Sequence, residues 1–131
     1  MTLSTAFTAA AMLAIVVALV HSILGEIMIF RRLRKPGRMI PTDGGERLLG
    51  SNVRTLWASW HVLTVFGLGM AAILLRLASS ARTAEHDFIA QAIVVSMLGG
   101  SLLVLVGTRG RHPGWIGLLG VALLVWLGLR T

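Results

Sequence analysis

The chain reads as four apolar runs separated by polar punctuation, at about residues 4–30, 55–75, 88–107 and 115–129. A helix needs roughly 20 apolar residues to cross the hydrocarbon core of a bilayer. The first three runs meet that length. The fourth is shorter, so it must stand upright or reach the surface through Arg130 at its end. The pattern predicts an all-α protein, an integral-membrane four-helix bundle forming a single domain over residues 1–131.

The polar punctuation refines this picture. Residues 31–54 form a long basic loop between the first two runs. Within it, Pro36-Gly37 and Asp43-Gly44-Gly45 are turn signals. Residues 46–49 are expected to start a short surface helix, and Ser51 or Asn52 to cap the second span. Pro113 suits the first turn of the fourth helix, where its missing N–H costs nothing. The first run has no basic residue before Arg31 and is too long for a signal-peptide core of about 7–15 residues, so it is expected to be a retained span.

Small residues suggest how the helices meet, because association in lipid depends on close packing. Ala92, Ser96 and Gly100 recur at spacing four in the third run, with Gly99 beside them. Gly117, Gly120 and Gly128 mark the fourth, and Gly67 and Gly69 the second. Four spans leave little sealed interior, so a homo-oligomer or a place in a larger membrane complex is expected.

Composition supports the membrane reading. Hydrophobic residues make up 56% of the chain and charged residues 13%, about half the charged share of an ordinary soluble domain. With no cysteine there can be no disulfide, thiolate metal site or iron–sulfur cluster. The net charge of +7 would suggest nucleic acid in a soluble protein, but no aromatics are interleaved with the basic run for base stacking, and no nucleic-acid partner is expected. Topology explains the charge better. Arg31, Arg32, Arg34, Lys35, Arg38, Arg47 and Arg54 border the first loop and Arg109 and Arg111 the third, against Arg76, Arg82 and Arg130 on the other side. Nine against three predicts cytoplasmic first and third loops and both termini outside, in the inner (plasma) membrane. The basic loop should then attract anionic lipid.

An ionisable side chain inside a span is costly and points to function. This chain places His21 and Glu26 in the first run, His61 in the second and His112 at the mouth of the fourth. At 1.5 Å rise per residue, Glu26 lies roughly 7–8 Å inside Arg31, His21 roughly 15 Å inside it, and His61 roughly 10 Å inside Arg54. The two histidines thus fall at comparable depth. On the helix, Arg54, Trp57, His61 and Thr64 share one stripe, His21, Gly25 and Met28 another, and Ser22 and Glu26 a third, with Glu26 about 140° from His21. Trp57, Trp60, Trp115 and Trp126 read as interfacial belt residues. His86, between Glu85 and Asp87, reads as a solvated turn residue.

These residues suggest a metal or proton site in the cytoplasmic half. His21, Glu26, His61 and His112 are the candidate ligands, because imidazole and carboxylate suit several transition metals. Arg54, Trp57, Arg109 and Arg111 are the candidate ligand-binding or charge-pairing groups. The expected use is ion transport or redox chemistry. Two histidines at matched depth also allow a b-type haem, or a quinone pocket with Trp57 and His61. Enzyme chemistry would then be that of a metal- or haem-dependent membrane oxidoreductase, since no phosphate loop or nucleophile elbow is present. In outline, a four-span chain with one carboxylate in its first helix resembles the small multidrug resistance transporters, which would imply proton-coupled carriage. Glu26 lies near its helix end and the chain has no tyrosine, so no residue is carried over. A structural role, with charges pinning helix ends in a larger complex, is the remaining alternative.

Overall fold

A computed structural model describes residues 2–131. It is all-helical: α1 (Leu3–Met28), α2 (Gly50–Ala78), α3 (Ala84–Gly107) and α4 (Gly114–Leu129), with a 3-10 turn at Phe30–Leu33. α1, α2 and α3 are long and apolar enough to cross a membrane. α4 is apolar but has 16 residues, or about 24 Å of rise, short of a hydrocarbon core of about 30 Å.

Two helices start earlier than hydropathy suggests. α2 begins at Gly50, so Ser51 and Asn52 lie inside its first turn and not at its cap. Leu49 O accepts from both Asn52 N–H (2.9 Å) and Val53 N–H (3.2 Å). α3 begins at Ala84, where the Thr83 side chain caps by accepting from His86 N–H at 3.2 Å. Glu85 and Asp87 in that first turn complement the helix dipole. α3 ends through left-handed backbone at Arg109 (φ 52°) and Gly110 (φ 74°), with Gly110 N–H bonded to Leu105 O at 2.7 Å. Such an ending satisfies carbonyls the helix leaves open.

The chain packs as two compact units. One comprises residues up to Val17 together with Gly67–Thr131, and the other is Ala18–Phe66. The first unit holds the apolar core: Phe7, Ala10, Ala11, Leu74, Ala90, Ile93, Val121 and Val125 are buried together. The α4 glycines make that packing possible. A Cβ at Gly117 would run into Val17, at Gly120 into Leu13, and at Gly128 into Phe7. α3 and α4 are also tied directly, by Ser101 Oγ donating to Trp115 O at 2.8 Å. The last carbonyls of α4 find a cation: Arg82 Nη2 donates to Leu129 O at 2.8 Å.

Large apolar side chains face outward on α3, including Phe88, Val95 and Leu103, the last 76% exposed. In water this would be a severe liability, whereas in lipid it is the expected surface.

The second unit contains the basic loop. Lys35 O accepts from Arg38 N–H at 3.2 Å, with Pro36 and Gly37 (φ 77°) in the middle, the residue order of a type II turn. Leu33 O accepts from both Thr42 (3.1 Å) and Asp43 (2.9 Å), folding the loop back on the 3-10 turn. The surface helix expected at 46–49 is not formed. That stretch is a turn closed by an isolated antiparallel bridge between Gly44 and Leu48. Gly45, at φ 61°, donates to Asp43 Oδ1, and so short a segment is too small to nucleate a helix.

Candidate functional site

Within the second unit, the end of α1 and the start of α2 bring their polar residues into register. Two adjacent stripes of α1 receive two successive residues of α2. The His21–Gly25 stripe receives Trp60, and the Ser22–Glu26 stripe receives His61.

Gly25 is the notch for the first contact. It is buried, and a Cβ there would fall inside the Trp60 indole. The absent side chain lets the indole lie flat on α1. Trp60 stacks on the His21 ring with centroids 4.3 Å apart and planes 8° from parallel. Its Nε1–H donates to His21 O at 3.1 Å. Phe30, fully buried, meets the same indole edge-on at 5.7 Å. Trp60 is therefore a packing residue of this crossing. His21 is the ring it packs on.

The second contact carries the charge. His61 Nδ1 lies 2.6 Å from Ser22 Oγ. His61 Nε2 lies 3.8 Å from Glu26 Oε2. Trp57, one turn before His61, donates its indole N–H to the same carboxylate oxygen at 3.4 Å and meets the His61 ring edge-on at 4.9 Å. The other carboxylate oxygen, Oε1, pairs with Arg34 Nη2 at 2.5 Å. Glu26, Arg34 and His61 are all partly buried, with about 30% of each side chain exposed. Ser22, Ile23, Glu26, Ile27 and His61 line a shallow cleft of about 280 Å³. The imidazole and carboxylate thus share an open space flanked by two exposed isoleucines.

The structure brings together Glu26, Trp57 and His61 of the residues singled out from sequence. It adds Ser22 and Arg34. Arg34 pairs with Glu26 because the 3-10 turn and the bonds from Thr42 and Asp43 to Leu33 reverse the chain just after α1. A run of five basic residues within eight positions gives no hint of which one turns back. Arg54 does not join Glu26; it lines a different cleft with Arg38, Met39, Ile40 and Thr42. His112, Arg109 and Arg111 belong to the other unit. There His112 Nδ1 accepts from Gly114 N–H at 3.0 Å, which caps the start of α4. Arg109 holds the left-handed position in the α3–α4 turn, and Arg111 N–H donates to Thr108 O. Among the described residues, no three of His, Cys, Asp and Glu are grouped as metal ligands would be.

His86 corrects the sequence reading. It is not solvated: it is 3% exposed and stacked on Phe7 with centroids 5.4 Å apart. Its Nε2 lies 3.1 Å from Leu77 O. The signal that could have placed it was Thr83 followed by two acidic residues, which marks a helix start and puts His86 in the first turn.

Comparison with protein-family models, curated proteins and solved structures finds no match.

Proposed function

We propose that this chain is a small multi-pass inner-membrane protein whose His61–Glu26 couple takes up and releases a proton, in the service of proton-linked transport or redox chemistry. In this reading all four helices span, α4 tightly fitted, with both termini outside and the basic loop in the cytoplasm. Copies of the chain self-associate. Gly69 has open space where a side chain would be, which suits close packing against a second copy.

One observation carries the proton reading: both ring nitrogens of His61 face side chains that tolerate a change of protonation. A serine hydroxyl is both donor and acceptor. When Ser22 donates to Nδ1, Nε2 carries the hydrogen and points toward Glu26. When Nδ1–H donates to Ser22, Nε2 is bare and can accept a proton. The resulting imidazolium sits 3.8 Å from a carboxylate oxygen. That spacing is an ion-pair distance, and too long for a direct hydrogen bond. Arg34 already balances Glu26, so the site moves between neutral and singly positive. A charge so placed is far less costly than an isolated one in a span. A transition metal would ask for three or more protein ligands in most sites, whereas a proton needs only this pair.

The test is proton flux into vesicles containing the purified chain and a pH-sensitive dye, driven by a membrane potential. The wild type should acidify the interior faster than protein-free vesicles. Glu26→Gln and His61→Asn should each slow this by about tenfold, equivalent to ~1.4 kcal/mol in barrier. Wild-type flux no greater than that of empty vesicles, or variants that conduct fully, would overturn the proposal.

A further inference from the structure

The loop of the second unit holds a second polar feature, which the proton reading does not use. Arg38 and Arg54 line one open cleft of about 430 Å³, together with Met39, Ile40 and Thr42. Arg38 comes from the type II turn and Arg54 from the second turn of α2. Both are exposed, and neither guanidinium has an ion pair or side-chain hydrogen bond among the described residues. The three acids of this unit form no ion pair with them: Glu26 is engaged by Arg34, Asp43 caps its own turn through Gly45 N–H, and Glu46 is exposed and pairs with neither arginine. Two unopposed guanidinium groups on one cleft leave a local excess of positive charge with forked donors suited to phosphate oxygens.

The rest of the lining is apolar. Met39 is 87% exposed and Ile40 43%. Leu49, close by in sequence before α2, is 72% exposed. Exposed apolar side chains beside unpaired arginines do not suit a site for a soluble anion. They suit a ligand with an anionic head and a hydrocarbon body. The cleft also lies in the loop between α1 and α2, two helices able to cross a membrane, which puts it near headgroup level.

We propose that this cleft is a binding site for the headgroup of an anionic phospholipid. Arg38 and Arg54 hold the phosphate, the Thr42 hydroxyl is within the same lining for the headgroup, and Met39 and Ile40 lie against the upper acyl chains. The site is independent of the His61–Glu26 couple. It differs from a diffuse attraction of the whole basic loop in naming two arginines that act together.

The experiment counts lipids retained by the purified full-length chain in detergent, by native mass spectrometry, during titration with phosphatidylglycerol or phosphatidylcholine. The wild type should prefer phosphatidylglycerol. Arg38→Gln/Arg54→Gln should weaken that preference by about 30-fold, from the size of two basic contacts at a membrane surface. Arg31→Gln/Arg32→Gln removes the same charge from the same loop and should weaken it by about threefold or less. Arg38→Lys/Arg54→Lys, which keeps charge but loses the fork, should fall between the two. Equal losses in both glutamine pairs would reduce the site to a general charge effect and overturn it. So would equal binding of phosphatidylcholine, or displacement of phosphatidylglycerol by inorganic phosphate or a nucleotide, which would mark a soluble phosphate ligand. Circular dichroism of each variant separates lost binding from lost folding.

Discussion

The two units each hold a buried or half-buried histidine beside a carboxylate, and the partner of the other ring nitrogen differs in kind. In the first unit, His86 is closed in by Phe7, its Nε2 faces a backbone carbonyl, Leu77 O, and its Nδ1 lies 3.5 Å from Asp87 Oδ1, which Arg82 also holds. A carbonyl can only accept, so Nε2 must carry its hydrogen and one tautomer is fixed. In the second, His61 faces a hydroxyl and a carboxylate and borders an open cleft. Neither partner fixes the ring in one state. Burial alone therefore does not separate a packing histidine from a working one. What separates them is whether the partner of the second ring nitrogen, a carbonyl for His86 and a hydroxyl for His61, can change roles, and whether a proton has a way in through an open cleft.

The same contrast extends to glycine, and there the largest effects are expected. Gly25 lets Trp60 lie on α1, whereas Gly99 has open space around it. Gly25→Val should destabilise the chain by about 3 kcal/mol, since the indole that would have to move is held by its bond to His21 O. Gly99→Ala should be neutral or stabilise α3 by up to about 1 kcal/mol through helix propensity. Thermal unfolding in detergent checks both. If Gly25→Val is harmless, the stacked crossing is not what holds the second unit together. A loss of stability in Gly99→Ala, with a shift to monomer, would instead place Gly99 in an interface between copies.

His86→Ala comes next. It removes the buried ring stacked on Phe7 and one of two donors to Leu77 O, the other being Ser80 N–H, so about 2 kcal/mol of stability should be lost. Proton flux per folded molecule should stay at the wild-type level. His86→Gln, which can still donate, should recover part of the stability. His61→Asn should show the reverse: about tenfold less flux and less than about 1 kcal/mol of stability lost. If His86→Ala also abolished flux in folded protein, the division between a structural and a proton-binding histidine would fail.

Much of this was legible in the sequence. The apolar runs at 4–30, 55–75 and 88–107 lie within or nearly within α1, α2 and α3, because twenty apolar residues have few other uses. The sharing of a stripe by Ser22 and Glu26 follows from helical spacing alone, and so does that of Trp57 and His61. Three things were not legible. The pairing of Glu26 with Arg34 depends on a loop reversal set by backbone bonds to Leu33 O, which no local pattern announces. The notch at Gly25 depends on which α2 residue arrives opposite it. The burial of His86 was hidden because hydropathy windows end a span at its last apolar residue and pass over a polar first turn. There the cap at Thr83 was the better guide.

Ser22→Ala is the smallest change and the finest test of why the two histidines differ. The substitution leaves Glu26, Trp57 and Arg34 in place and removes only the hydroxyl at 2.6 Å from His61 Nδ1. The stability cost should be about 0.5 kcal/mol, the low end of the net worth of one hydrogen bond. The informative readout is the pair of ring nitrogen signals of His61 in 15N NMR. With the serine present, two hydrogen-bond arrangements are open to the ring, and exchange between them should draw the two signals together. Without it, Nδ1 has no partner and the hydrogen should settle on Nε2, facing the carboxylate, so the signals should separate. His86, held to one tautomer by Leu77 O, should show separated signals in both proteins. Ser22→Thr keeps the hydroxyl and should keep the wild-type pattern. If His61 already showed separated signals in the wild type, its partners would fix it as firmly as the carbonyl fixes His86, and the physical basis for treating them differently would be gone.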